Sequence, residues 1–390
     1  MEWFYCEDFS SFKPLRLVLN GQAGTGKSVV LKTIASCIRR IFQYTNTCGI
    51  TGPTGVSAFN INGRTLQNYS AQKRTRGEYQ YGSMSANDRQ LLARRLKHLL
   101  CLIIDERSMV TSKVLGTTEC RISETIFEGR GSESVSWGGL PIVIMAGDDY
   151  QLPGIQQGAF ECLTRKDGGK MTQRGRSCFA ECAEKVAHLK DIRRVHDSLT
   201  EDKKLLSRLR IGEDVRDQDV TRLQNLHLDK IMEKFGPEMV QKIKSNAISL
   251  FWTNDKRIRT NIEVLSELNS VDNPTAIIRP KTESSKYGKG VAKHFDENLP
   301  GTSMFCINAK VALVGKNFNP GWGLHNGACG IVKEIVFEKG GNPNHGHQPK
   351  YVVVEFPLYV GPTWDKKNPL VRIHGKSIGL LFRNSHLLHF

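Results

Sequence analysis

The stretch Gly21-Gln22-Ala23-Gly24-Thr25-Gly26-Lys27-Ser28 decides the fold, because it has the form G-x-x-x-x-G-K-[ST] of a phosphate-binding loop. An apolar run at residues 15–19 precedes it and predicts a buried strand. The residues after it predict a helix, because one apolar stripe recurs at helical spacing at Val30, Ile34, Ile38 and Ile41. This context is the one that a phosphate loop requires.

The residue types of the loop suit the charge of a nucleoside triphosphate. Glycines let successive backbone N–H groups converge on the phosphates, and the helix adds its positive end. We expect Lys27 to reach the β and γ phosphates and the Ser28 hydroxyl to ligate Mg²⁺. The alternative is a glycine-rich turn without a ligand. The candidate nucleotide-binding residues are Gly21, Gly24, Thr25, Gly26, Lys27 and Ser28.

Two acidic residues follow another apolar run. Residues 99–104 are continuously apolar, which predicts a central parallel strand, and Asp105 and Glu106 come directly after them. An open α/β sheet binds its ligand at the carboxyl ends of its strands. We therefore expect Asp105 to hold Mg²⁺ and Glu106 to orient or deprotonate the attacking water. A solvated acidic turn is the alternative.

A third apolar run, residues 141–146, ends in the sequence GDDYQLP at residues 147–153. An amide side chain at the end of a neighbouring strand can sense the γ-phosphate. Gln151 is the candidate for that role, and an ordinary turn residue is the alternative.

The composition indicates a globular protein with an acidic partner. The chain has 390 residues, enough for two or three domains, and 39% of them are hydrophobic. Its 55 Lys and Arg against 39 Asp and Glu give a net charge of +16, which favours nucleic acid as a partner. Ten scattered cysteines without a CxxC pair favour a reducing compartment. Neither a membrane span nor a signal peptide is predicted, so we expect an intracellular protein.

Residues 51–70 have the chemistry to contact a nucleic-acid backbone. They include TGPTGVSA at 51–58 and are rich in hydroxyl and amide groups after a predicted strand at 48–51. Turn chemistry alone is the alternative. The candidate DNA-binding residues are Thr51, Pro53, Thr54, Gly55, Arg64 and Thr65.

Residues 72–87 form a polar insertion in which cations alternate with aromatic rings, as at Lys73, Arg74, Arg76, Tyr79 and Tyr81. Such interleaving suits single-stranded nucleic acid, and a solvated surface loop is the alternative. Ser85 and Asp88 then predict the cap of a helix with a solvated basic face.

Taken together, these segments resemble the Pif-one/RecD-like DNA helicases of superfamily one, especially the branch carried by Helitron transposons. The resemblance runs from about residue 15 to residue 357. Its motifs are GQAGTGKS, TGPTGVSAFNINGRT, IIDERSM, GGLPIVIMAGDDYQLP, LRIGE, LFWTNDKRIRTN and GLHNGACGIV. It implies ATP- and Mg²⁺-dependent 5′-to-3′ translocation on single-stranded DNA and at duplex junctions. Such helicases act in repair, recombination, telomere maintenance or transposition, so the nucleus or the mitochondrion is the expected location. The sequence leaves the oligomeric state open, and a monomer is expected.

The resemblance also implies roles for single residues. Lys27, Asp105, Glu106 and Gln151 match the family's catalytic positions, and Ser28 and Asp105 its metal contacts. Arg194 matches an arginine that reaches the γ-phosphate, with Arg193 as the second choice. A salt bridge without phosphate is the alternative for Arg194.

The implied fold class is α/β. A P-loop RecA-like parallel sheet with helices on both faces precedes a partial second RecA-like domain, which carries a small β-barrel-like insertion. The first strand of that second domain is predicted at residues 246–252. The expected boundaries are a lead-in at 1–14, the ATPase domain at 15–200 with a variable insertion at 70–98, a helical connection at 201–245, the second domain at 246–330, and a β-rich insertion and tail at 331–390.

Two departures from the family pattern alter the expectations. Arg107 replaces an apolar residue and is expected to place a cation beside Glu106. The closing T-x-H-K-[SA]-Q-G segment has only a loose echo at residues 371–377, so a C-terminally incomplete helicase is expected. The alternative to an active helicase is therefore a truncated, non-unwinding protein that binds nucleotide and DNA.

Overall fold

A computed structural model describes residues 13–72, 74–75, 78–79, 84–130, 135–154, 168–212, 214–278, 303–313, 318–361 and 388–389. Three parts of the chain that the sequence analysis discussed lie outside these described residues. They are most of the lead-in, the side chains of the 72–87 insertion that were predicted to meet nucleic acid, and the tail segment 371–377. Of the helices that are described, none is both long and apolar enough to cross a bilayer.

The described strands are β1 (Leu15–Gly21), β2 (Cys48–Gly52), β3 (Arg64–Thr65), β4 (Arg74–Thr75), β5 (Glu78–Tyr79), β6 (Cys101–Ile104), β7 (Ile142–Gly147), β8 (Val186–Leu189), β9 (Ala276–Ile278), β10 (Ser303–Phe305), β11 (Lys310–Leu313), β12 (Cys329–Val336), β13 (Tyr351–Glu355) and β14 (Leu388–His389). The described α-helices are α1 (Lys27–Phe42), α2 (Gly55–Asn60), α3 (Leu66–Tyr69), α4 (Ala86–Leu96), α5 (Ser112–Arg130), α6 (Lys170–Ala183), α7 (Thr200–Ile211), α8 (Asp217–Gln224), α9 (Leu228–Asn246) and α10 (Asn254–Leu268).

These elements divide into two compact units. The first holds the described residues of Met1–Asn20, Lys27–His188 and Glu263–Phe390, and the second holds Gly21–Gly26 and Leu189–Ile262. The domain boundaries drawn from the sequence stay a prediction.

A six-stranded sheet in the order β3-β2-β6-β7-β1-β8 organises the first unit. The pairs β3–β2, β2–β6, β6–β7 and β7–β1 run parallel, which confirms the predicted α/β class. Every residue of β6 is buried. Because successive residues of a strand face opposite sides of the sheet, burial of all of them means that both faces of the sheet are covered there.

The predicted helix after the phosphate loop is confirmed as α1, which begins at Lys27, but the apolar stripe is not its buried row. Lys27, Leu31 and Ala35 are the buried row. Three residues of the predicted stripe are half-buried, and Ile41 is 62% exposed. Both rows have helical spacing, and the contact with strands β2 and β6 selects the row that starts at Lys27.

Ser85 caps α4 through the backbone N–H of Asp88, which confirms the predicted cap. Arg94 and Lys97 are exposed, which agrees with the predicted solvated basic face, whereas Arg95 is half-buried. Arg95 donates hydrogen bonds to the carbonyl oxygens of Asn68 (2.7 Å) and Tyr69 (3.1 Å). It therefore closes the carboxyl end of α3.

A four-stranded sheet in the order β13-β12-β11-β14 forms the second core of the first unit, and its described pairs are antiparallel. Its core includes Phe305, Val332, Val354 and Phe356. Strand β12 begins at Cys329, and Gly323 and Gly327 before it have φ of +82° and +89° and form turns.

The second unit contains helices α7, α8 and α9 and most of α10. Helix α9 is broken at Gly236, which precedes Pro237. The prediction of a strand at residues 246–252 is wrong. Residues 247–252 form no strand, and Leu250 and Trp252 are 93% and 99% exposed. A strand needs a hydrogen-bonded neighbour, and none of the described strands pairs with this segment.

Candidate nucleotide-binding and catalytic site

The turn Gly21–Gly26 has the backbone geometry that its glycines permit. Gly24 and Gly26 have φ of +84° and +93°, which favour residues without a Cβ. The Thr25 hydroxyl donates to the Gln22 carbonyl oxygen at 2.8 Å and closes the turn. A Cβ on Gly21 would lie 2.6 Å from the Thr25 hydroxyl. The loop is therefore a compact turn, and its glycines are required by sterics.

Lys27, Ser28 and Asp105 lie together at the carboxyl edge of the sheet. The Ser28 hydroxyl donates to Asp105 Oδ2 at 3.3 Å, and Lys27 and Asp105 are only 7% and 3% exposed. Burial raises the pKa of Asp105, while the Glu106 backbone N–H, the Ser28 hydroxyl and the Lys27 ammonium act in the opposite direction. Two hard oxygen donors at this spacing fit Mg²⁺, which keeps water and phosphate oxygens as its other ligands.

Glu106 has an unusual backbone conformation. Its φ of 49° and ψ of 48° are left-handed, and it precedes the 3-10 turn Arg107–Met109. A non-glycine residue in this region carries strain of about 1–3 kcal/mol, and such strain is often found at functional sites. The extended backbone of β6 therefore does not continue past this residue, which comes directly after the carboxylate that is predicted to hold the metal.

The loop after β7 carries Gln151 at the same edge. Strand β7 lies between β6 and β1, so its carboxyl end neighbours both other strand ends of the site. The Gln151 backbone N–H donates to the Asp148 carbonyl oxygen at 3.1 Å, and its side chain is half-buried. The Gly154 N–H donates to the Ser108 carbonyl oxygen at 3.0 Å. The loop is thus held against the turn that follows Glu106.

Arg107 was expected as a cation acting on Glu106, and the structure shows other partners for its guanidinium. Both terminal nitrogens bind the Asp149 carboxylate, and Nη2 lies 3.5 Å from Asn20 Oδ1. The side chain is 4% exposed, and the Phe179 ring lies beneath it with the centroid at 5.4 Å. Reasoning from sequence missed Asp149. The signal was a cation at a position where the family pattern is apolar, since a charged side chain is rarely fully buried without a partner.

Arg194 lies on the turn Gly21–Gly26 within the second unit. The backbone N–H groups of Arg193 and Arg194 both donate to the Gly24 carbonyl oxygen, at 2.7 and 3.2 Å. A Cβ on Gly24 would lie 2.6 Å from the Arg194 Cβ. The Arg193 guanidinium pairs instead with Asp191 at 3.1 Å. This geometry favours Arg194 over Arg193 for a phosphate contact, and that role stays a prediction.

The six candidate DNA-binding residues differ in their burial and in their hydrogen bonds. Thr51 is fully buried and donates to the Ile103 carbonyl oxygen at 2.9 Å, so its side chain is not a DNA contact. Thr54 and Thr65 cap helices α2 and α3. Pro53 is half-buried, Gly55 is buried as the first residue of α2, and Arg64 is exposed. DNA contacts at these last three stay a prediction.

A family model described as PIF1-like helicase matches residues 7–204, more than half of the chain. The chain belongs to the PIF1-like helicase family. The ATP-dependent DNA helicase PIF1 of Saccharomyces cerevisiae is 29% identical over 161 residues, which cover 39% of this chain and 18% of the relative. The chain therefore matches less than a fifth of the length of that relative.

Two solved structures show the same fold. The crystal structure of Pif1 helicase from Candida albicans has a TM-score of 0.58 at 22% identity and covers 89% of this chain and 73% of its own. The structure of Bacteroides Pif1 bound to single-stranded DNA has a TM-score of 0.51 at 18% identity and covers 88% of this chain and 69% of its own.

Proposed function

We propose that this chain hydrolyses ATP with Mg²⁺ and uses the energy for 5′-to-3′ movement on single-stranded DNA and for unwinding at duplex junctions. The observation that carries the proposal is the pairing of Ser28 with Asp105 beside the buried Lys27, directly after the glycine turn. Named ATP-dependent DNA helicases among the relatives, and a Pif1 structure bound to single-stranded DNA, support it.

Each residue has a defined part in this proposal. Lys27 would bind the β and γ phosphates, and Ser28 and Asp105 would hold Mg²⁺, which would supply neutralisation of charge on the phosphate oxygens. Glu106 takes a proton from the attacking water, and Gln151 holds that water or the γ-phosphate. Arg194 stabilises charge that develops as the bond to the leaving phosphate breaks, an effect worth roughly 10³ to 10⁵ in rate for such arginines.

The biological setting is part of the proposal. A net charge of +16 favours DNA as the partner. We propose an intracellular site of action, the nucleus or the mitochondrion, in repair, recombination, telomere maintenance or Helitron-type transposition. The protein would act as a monomer.

One observation favours a second candidate, a protein that binds nucleotide and DNA without unwinding. Residues 247–252 form no strand and leave Leu250 and Trp252 exposed. A translocating motor uses two RecA-like domains, and this segment was expected to begin the second one.

Steady-state ATPase assays with and without a single-stranded oligonucleotide test the proposal, with Lys27→Ala as the critical variant. We expect DNA to stimulate wild-type turnover. We expect Lys27→Ala to lower it by about 10² to 10³, the usual loss when one charge-stabilising group is removed. DNA affinity, measured by fluorescence anisotropy, should change less than about threefold, because Lys27 contacts phosphates of the nucleotide only.

Lys32→Ala is the matched control, since Lys32 lies on the same helix and is exposed. Normal turnover in Lys27→Ala would refute the role of Lys27. DNA binding without any stimulated hydrolysis in the wild type would favour the second candidate over the motor.

A further inference from the structure

Arg107 is a buried cation that the proposed chemistry does not use. Its guanidinium binds Asp149 through both terminal nitrogens, with Nη2–Oδ2 at 2.7 Å, and reaches Asn20 Oδ1 at 3.5 Å. Bidentate pairs of this kind fix both side chains in one geometry. The exposed fractions of 4% for Arg107 and 22% for Asp149 show that the pair is largely shielded from water.

The pair connects the carboxyl ends of three neighbouring strands. Arg107 follows β6, Asp149 follows β7 and Asn20 lies in β1, and these strands are adjacent in the order β6-β7-β1. Neighbouring strands lie about 4.8 Å apart, so one guanidinium fork can reach across them. Arg107 therefore bridges the strand ends from which the site is built.

The backbone is packed to hold this arrangement. A Cβ on Gly147 would lie 2.7 Å from Arg107 Cγ and 3.0 Å from its backbone nitrogen. The Gly154 N–H donates to the Ser108 carbonyl oxygen at 3.0 Å. Three residues of the loop 147–154 thus contact the turn Arg107–Met109, namely Gly147, Asp149 and Gly154.

We propose that the Arg107–Asp149 ion pair positions the γ-phosphate sensor loop against the carboxylate turn, so that Gln151 and Glu106 act on the same phosphate in one geometry. Arg107 is adjacent to Glu106, and Asp149 is two residues from Gln151. Neither charged partner needs to touch the nucleotide, so both are positioning residues. The inference rests on the proposed ATPase and adds to it a connection between two motifs.

The test replaces Arg107 and Asp149 together with apolar residues. Removing one partner would leave a buried charge, whereas replacing both with apolar residues of similar volume is often tolerated. We therefore choose Arg107→Met/Asp149→Leu. The matched control is Arg16→Met/Glu181→Leu, an ion pair of 3.1 Å with exposed fractions of 5% and 35%. Arg16 also donates to the Leu140 carbonyl oxygen at 2.8 Å, so the control pair lies at the opposite end of the strands.

We expect Arg107→Met/Asp149→Leu to lower kcat for ATP by about 10- to 100-fold while KM changes less than threefold, because the phosphate loop that binds the nucleotide is intact. The control should keep kcat within twofold at a similar melting temperature. Arg107→Lys should recover only part of kcat, since lysine keeps the charge without the fork. An unchanged kcat in the double variant, or an equal loss in the control, overturns the proposal.

Amide hydrogen exchange gives a readout that does not need turnover. The amides of Gln151 and Gly154 are hydrogen-bonded in the loop, so we expect their exchange to become at least tenfold faster in Arg107→Met/Asp149→Leu and to stay unchanged in the control. Unchanged exchange in both variants overturns the positioning role. Absence of ATP turnover in the wild type would instead contradict the proposed function. The exchange measurement would still test whether the ion pair positions the loop.

Discussion

Glu106, the proposed general base, has a strained backbone. Its left-handed conformation follows directly on Asp105, whose Oδ1 accepts a hydrogen bond from the Glu106 backbone N–H at 2.9 Å. An extended Glu106 would continue the direction of β6 and place its side chain on the opposite face of the sheet from that of Asp105. The strain is therefore the cost of ending the extended backbone at the proposed site.

We predict that Glu106→Gln lowers ATP hydrolysis by about 10² to 10⁴, the usual contribution of a general base. Nucleotide affinity and melting temperature should change little, because the amide has the same shape and the backbone is unaltered. Single-turnover hydrolysis and titration with ATP and Mg²⁺ measure the two effects separately. Hydrolysis within threefold of the wild type would assign the base to another residue.

At the scale of elements, the sequence predicted those strands and helices whose own residues determine them. Continuous apolar runs at β6 and β7 predict buried strands, and Asp105, Glu106 and Gln151 follow from where the runs stop. Three features depend on other segments, and the sequence alone could not predict them correctly. The buried row of α1 depends on which strands it contacts, a strand at 247–252 requires a neighbour, and the partner of Arg107 lies 42 residues away on another strand end.

Helices α7 and α8 of the second unit are joined by a charged pair that should respond to pH. Arg208 binds Asp219 through Nε and Nη2 at 2.7 and 2.5 Å, and its hydrogen bonds lower the pKa of Asp219. A lowered pKa in the folded state adds stability above the unfolded value of about 3.9, and this stability is lost as the pH falls through the folded value.

We therefore predict that Asp219→Asn lowers the melting temperature at pH 7, and that the difference from the wild type shrinks when both are measured below pH 3. Far-UV circular dichroism at the two pH values measures the effect. Asp217→Asn is the matched control, because Asp217 lies on the same helix and is exposed. A difference that persists unchanged at low pH would mean that the ion pair is not its cause.

At the scale of the whole molecule, distant motifs of the first unit meet in the fold. His325 of the LHNGACG segment is 4% exposed and packs on Phe59 of helix α2, with ring centroids 4.8 Å apart. A Cβ on Gly327 would lie 3.1 Å from Val56 in the same helix. The turn that precedes β12 is therefore packed on helix α2, within the segment that the sequence predicted to meet DNA.

The net charge of +16 leads to the last prediction, which concerns DNA affinity as a function of salt. A protein that neutralises Z phosphates of a single strand loses affinity with a slope of about −0.7Z in log–log form. With about five contacts, affinity should fall roughly 10²-fold between 50 and 200 mM salt. Fluorescence anisotropy with a labelled oligonucleotide measures it, and Lys27→Ala should give the same slope because Lys27 serves the nucleotide. A flat response would exclude a phosphate-binding surface and leave the charge without a role in DNA binding.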